Sequence, residues 1–170
     1  MTRARDLAAG TFELATGGVL KLETSDTTVT DGSVLGKIEF KAPDEASGTD
    51  AILVGAAIEA VAEGTFAADN NATELVFKTG ASAAADVKMT LTSGGELLVG
   101  KTVADNTTVG ARILNTGRMT LVASANDVLT LNRTTSDGEI VAFRKAGTTV
   151  GSIASVGGNI ILASGSVGVG

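Results

Sequence analysis

Residues 131–153 read LNRTTSDGEIVAFRKAGTTVGSI. Ser136, Asp137 and Gly138 form a turn signal, and the strand expected at 139–144 sets Val141 and Phe143 at alternate positions among polar or small residues. Lys145, Ala146 and Gly147 mark a second turn, after which a strand at 149–153 places Val150 and Ile153 among small residues. An isolated hairpin of this size is marginal in water. The segment therefore needs partners.

The same grammar runs outward along the chain. Ile38 and Phe40 share one face at period two, as do Leu75 and Phe77, and then Met89 and Leu91. Turn signals separate these runs at Asp31-Gly32, Ser93-Gly94-Gly95, Asn115-Thr116-Gly117 and Gly157-Gly158. Strands are expected at 19–23, 35–41, 73–79, 87–92, 96–99, 118–123, 128–132, 139–144, 149–153 and 160–163. Such spacing reads as all-β, built from short antiparallel strands and hairpins. The segment 50–64 (DAILVGAAIEAVAEG) suits either a helix or a strand by composition, and Gly55 weakens both. Three regions follow: an N-terminal arm at 1–18, extended or briefly helical; a β-rich body at 19–100; and a hairpin-built, shaft-like region at 101–170.

Composition limits the core. Hydrophobic residues make up 44% of the 170 positions, yet there are five Phe and no Trp or Tyr. Twenty-two Gly and a single Pro suit short strands, frequent turns and close backbone approach. So few large side chains cannot fill a sizeable private core. An obligate oligomer is expected, with Ile38, Phe40, Leu75, Phe77, Met89, Leu91, Val141 and Phe143 buried jointly between copies.

Much chemistry is excluded by residue type. With no His and no Cys, the commonest general base, the softer metal ligands and the thiol nucleophile are missing. No aromatic platform of Tyr or Trp exists for stacking sugars. The adjacent Asp44 and Glu45 read as a solvated turn rather than a glycosidase acid pair. Asp69-Asn70-Asn71 lacks the spacing of a calcium loop, and Asx-rich turns usually bond their own backbone. No catalytic residue, cofactor or metal is expected. A net charge of −6 argues against nucleic-acid binding. No apolar run reaches membrane-spanning length, so membrane insertion is not expected.

The hairpin at 131–153 also resembles, almost position for position, one that recurs in tail fibre proteins of tailed bacteriophages, of the form NRTTSDG-x-I-V-x-F-x-K-x-G-T-T-V-G-S-I. DGSVLGKIEFKA at 31–42 and TELVFKTGASAAADVKMTLTSGGELLV at 73–99 are similar to body segments of such fibres, and MTRARDL at 1–7 to their start. The resemblance implies an intertwined homotrimer and favours a strand at 57–63 paired with 35–41. It also implies a virion protein made in the host bacterial cytoplasm. The arm would dock to the phage tail, on adaptor or nozzle proteins, through Arg3, Arg5, Leu7 and Phe12. A bacterial surface receptor would be met distally. The chain is expected to be a short fibre or the proximal part of a longer one. A capsid decoration or head-fibre protein is the alternative, and a polysaccharide-degrading tailspike a weaker one.

Overall fold

Alternating apolar residues between Gly- and Asx-rich turns produce strands throughout the computed structural model, which describes residues 17–42 and 48–165. Among those residues there is no helix. The chain divides into two units after Ser124.

The first unit is a seven-stranded antiparallel meander: β1 (Val34–Lys41), β2 (Val54–Ala62), β3 (Thr73–Thr79), β4 (Asp86–Leu91), β5 (Leu97–Val99), β6 (Gly110–Ile113) and β7 (Met119–Val122), side by side in chain order. Every pairing joins sequence neighbours, so each strand finds its partner close by along the chain. Two turns in this sheet share one construction. Gly95 N donates to Thr92 O at 2.9 Å and Gly117 N to Leu114 O at 2.8 Å. Both glycines have positive φ, 78° and 84°, which a Cβ would disfavour. Asn115 Nδ2 then donates to Gly94 O at 2.8 Å, tying one turn to the other.

The second unit is a three-stranded antiparallel sheet in the order β10-β9-β8, from β8 (Gly138–Lys145), β9 (Thr148–Val156) and β10 (Asn159–Ser164). Its two hairpins close through two-residue loops, Ala146-Gly147 and Gly157-Gly158, with all four residues at positive φ. These are the geometries that match strand twist. The turn before β8 is fixed by its own side chains. Arg133 Nε donates to Ser136 O at 3.0 Å, and Gly157 N donates to Asp137 Oδ2 at 2.7 Å. Gly138 has φ 153°, a backbone conformation that side-chain-bearing residues rarely adopt, which favours glycine there.

Ala146 is the exception to this turn chemistry. At φ 48° it carries a Cβ in left-handed backbone. Ala146→Asn restores the preferred Asn-Gly pair and is expected to stabilise the hairpin by about 1 kcal/mol. Thermal melting checks it, and an unchanged or lowered midpoint would contradict the turn assignment.

Several expectations are corrected. Residues 19–23 are not a strand. Leu22 instead sits so close to β1 that a Cβ on Gly36 would meet Leu22 Cβ at 2.7 Å, so a side-chain contact takes the place of ladder bonds. Residues 128–132 are not a strand either, having no ladder partner among the described residues. The segment 50–64 does contain a strand paired with β1, though β2 begins at Val54, before the expected 57. The strand β6 was not expected. The sequence reading sets a boundary at 100/101, whereas β5 and β6 on either side of it are paired from Leu97↔Ile113 to Val99↔Ala111. The arm at residues 1–16, with Arg3, Arg5, Leu7 and Phe12, lies outside the described residues, as do Asp44 and Glu45.

Candidate functional site: an uncovered apolar sheet face

The register of the first sheet sorts its side chains into two unlike faces. One row across it reads Ile38, Ile58, Phe77, Met89, Val99, Ala111, Leu121. The next row on the same face reads Gly36, Ala60, Leu75, Leu91, Leu97, Ile113, Met119. Phe40, opposite Ala56, extends it. Neither row contains a charged residue. Cross-strand neighbours of this kind pack on each other, but packing within one layer covers only their flanks.

The opposite face carries the charges and pairs several of them. Its central row is Lys37, Glu59, Val76, Thr90, Leu98, Arg112, Thr120. Lys78 Nζ donates to Glu59 Oε2 at 2.6 Å. Arg112 meets Glu96 with two bonds, Nη2 to Oε1 at 2.6 Å and Nε to Oε2 at 3.1 Å. Val76, Thr90 and Leu98 are buried on this side. The arrangement inverts the usual one: the polar face is the better covered, and the apolar face is open.

Six of the eight residues expected at a shared core lie on the open face. Ile38 is 41% exposed, Phe40 55%, Leu75 37% and Leu91 42%, while Phe77 and Met89 are half-buried beside them. A shallow apolar groove of about 170 Å³ lies there, lined by Leu22, Gly36, Ile38, Ile58, Ala60 and Leu75 among others. Val141 and Phe143 belong to the second unit. They align with Ile153 and Gly151 of β9, and these with Leu162 and Ser164 of β10. Phe143 is half exposed and Leu162 is 81% exposed, so this sheet too has an open apolar face. Ile58, Leu97, Val99, Ile113, Met119, Leu121 and Leu162 were missed as members of these faces. Alternation within each strand hinted at them, but only register places them in rows.

Two local electrostatic features stand beside the faces. Burial, and then the neighbouring Glu63 and Asp31 carboxylates, push the Glu74 carboxyl above its ordinary value. In the loop after β5, Lys101 is buried, and its Nζ donates to Asp105 O at 2.8 Å, Asp105 Oδ1 at 2.9 Å and Thr108 O at 3.1 Å. The Asp105 carboxylate is held well below its usual range. The causes are, in order, the Thr108 hydroxyl, the Thr108 amide, Lys101 and the Thr107 amide. The Asx-rich loop uses its side chain internally: Asn70 Nδ2 donates to Thr65 O at 2.8 Å, and Asn70 Oδ1 accepts from Ala72 N at 3.2 Å.

Among the described residues no three acidic side chains gather closely enough to hold a metal ion. No described helix is long and apolar enough to cross a membrane. The fold thus defines an all-β protein of antiparallel meanders with open apolar faces. Comparison with family models, curated proteins and solved structures finds no match to this chain.

Proposed function

We propose that this chain is a structural virion protein, a tail fibre of a tailed bacteriophage or its proximal part, working as a homotrimer. One observation carries the reading: the charge-free apolar face of the seven-stranded sheet lies open in the single chain, while the charged face is paired and better covered. Soluble monomers rarely leave so large a contiguous apolar surface in water. The private core is correspondingly thin. Buried apolar residues among those described are Ala57, Ala62, Val76, Leu98 and Ala154, and the three alanines among them contribute little.

The trimer number and the phage assignment rest on the sequence resemblance. In this reading the open faces meet around a shared axis, and Ala and Gly permit close approach there. The fibre body spaces its distal end from the particle toward a bacterial surface receptor. The arm joins the tail, with Arg3 and Arg5 supplying bidentate donors and Leu7 and Phe12 apolar anchors. Three arms acting together hold firmly even when each binds weakly.

Deleting residues 1–12 tests the assignment. The shortened chain is expected to sediment as a trimer and to be missing from purified particles. Normal incorporation would refute docking by the arm. A folded, cooperative monomer of the full chain at low concentration would sink the trimer.

A further inference from the structure

Each sheet has two edges, and the chain treats them unequally. In the first sheet, β1 is interrupted by register shifts between Val34 and Gly36 and between Phe40 and Lys41, and it carries Lys37, Glu39 and Lys41. In the second sheet, β8 is interrupted between Glu139 and Val141 and between Phe143 and Arg144, and it ends in Arg144-Lys145. Bulges and charges are the devices by which proteins block an edge against strand addition. The other two edges have neither. Residues 119–122 of β7 (MTLV) and 159–164 of β10 (NIILAS) contain no charged residue and pair with their single neighbours in unbroken register. Among the described residues, no further strand pairs with their outer side.

The unpaired backbone groups on those edges can be named. Gly165 N donates to Val150 O, so by alternation the amides and carbonyls of Ile161 and Ala163 face β9, while those of Ile160 and Leu162 face outward. Leu114 N donates to Arg118 O, which turns Thr120 toward β6 and leaves Met119 and Leu121 facing outward. One chain therefore presents two receptive edges and two blocked ones.

We propose that β10 of one copy adds as a strand to β7 of a neighbouring copy, joining the two kinds of sheet between subunits. A second copy is the occupant the chain itself argues for. Each copy supplies both receptive edges. Both are free of charge in a chain of net charge −6, so they are where like-charged copies approach with least repulsion. Pairing unlike edges is heterologous, and such contacts form a ring where the rotation closes, as a trimer requires, and an open filament where it does not. The inference rests on the trimeric reading above and adds which strands bond.

The test is amide hydrogen exchange on the full chain, with its mass measured by sedimentation under the same conditions. The outward amides of Leu121, Ile160 and Leu162 are expected to exchange as slowly as the inward ones of Thr120 and Ile161. Leu121→Pro and Leu162→Pro remove the outward donor together with the apolar side chain. Leu121→Ala and Leu162→Ala remove the side chain and keep the donor, so at each position the proline variant is expected to dissociate at a clearly higher protein concentration than its alanine reference, and equal dissociation of the two would overturn strand addition. A trimer whose outward amides exchange like those of open loops overturns strand addition and leaves the trimeric reading standing. A folded monomer overturns both. A dimer built by β10 pairing with β10 overturns the proposed pairing of unlike edges.

Discussion

Leu98→Ala is expected to destabilise the seven-stranded unit by about 2–5 kcal/mol. Leu98 is 1% exposed, the most buried large side chain of its sheet. It sits on β5, a strand of three residues, opposite Thr90 on one side and Arg112 on the other. So short a strand is held by few ladder bonds, and its side chain is what fixes it between β4 and β6. Truncation leaves a cavity that the flanking Glu96–Arg112 pair, held by two hydrogen bonds, cannot collapse to fill. The measurement is denaturant unfolding at fixed protein concentration, because association would otherwise shift the midpoint. A loss below about 0.5 kcal/mol, the range of exposed sites, would remove Leu98 from the core. The contrast with Leu91→Ala is informative. Leu91 lies on the open face, so its cost should grow with protein concentration if copies cover that face.

Lys101→Met is expected to cost about 2–3 kcal/mol. The Lys101 side chain is 1% exposed, and all its acceptors come from residues 105–108. Removing the ammonium strands two backbone carbonyls, of Asp105 and Thr108, that were satisfied by charge. Methionine keeps most of the stem volume, so the loss reports hydrogen bonding more than packing. The same loop has a pH signature. The Asp105 carboxyl titrates below its ordinary 3.8 in the folded chain, so folding favours its ionised form. Its contribution is complete above about pH 5, and it is lost as pH falls below 3.8 toward the folded value. In Lys101→Met this acid sensitivity should shrink but persist, because the Thr108 hydroxyl and the Thr107 and Thr108 amides still hold the carboxylate. Unfolding curves between pH 2 and pH 6 compare the two chains. An unchanged acid limb would detach Lys101 from Asp105.

The hairpin at 139–153 and the alternating runs at 35–41, 73–79 and 87–92 were legible because each rests on short-range causes. Period-two patterning and Gly- or Asx-rich turns act within a few residues, and a strand that obeys both forms wherever its neighbours do. The all-β class followed from these causes, and they also set Ile38 with Phe40, Leu75 with Phe77 and Met89 with Leu91 on common faces. The same local reading failed at 19–23 and 128–132, where alternation is present but no edge lies alongside to complete a ladder. It also missed β6, whose four residues are too few to show a period and whose place depends on β5 and β7. The buried Lys101 was invisible for a related reason, since its acceptors converge only when the loop after β5 folds back. Which face of the sheet is covered was decided by register across seven strands. A strand's sequence states which side chains travel together. Only its neighbours decide what they meet, because burial is a property of pairs of surfaces and not of a single strand.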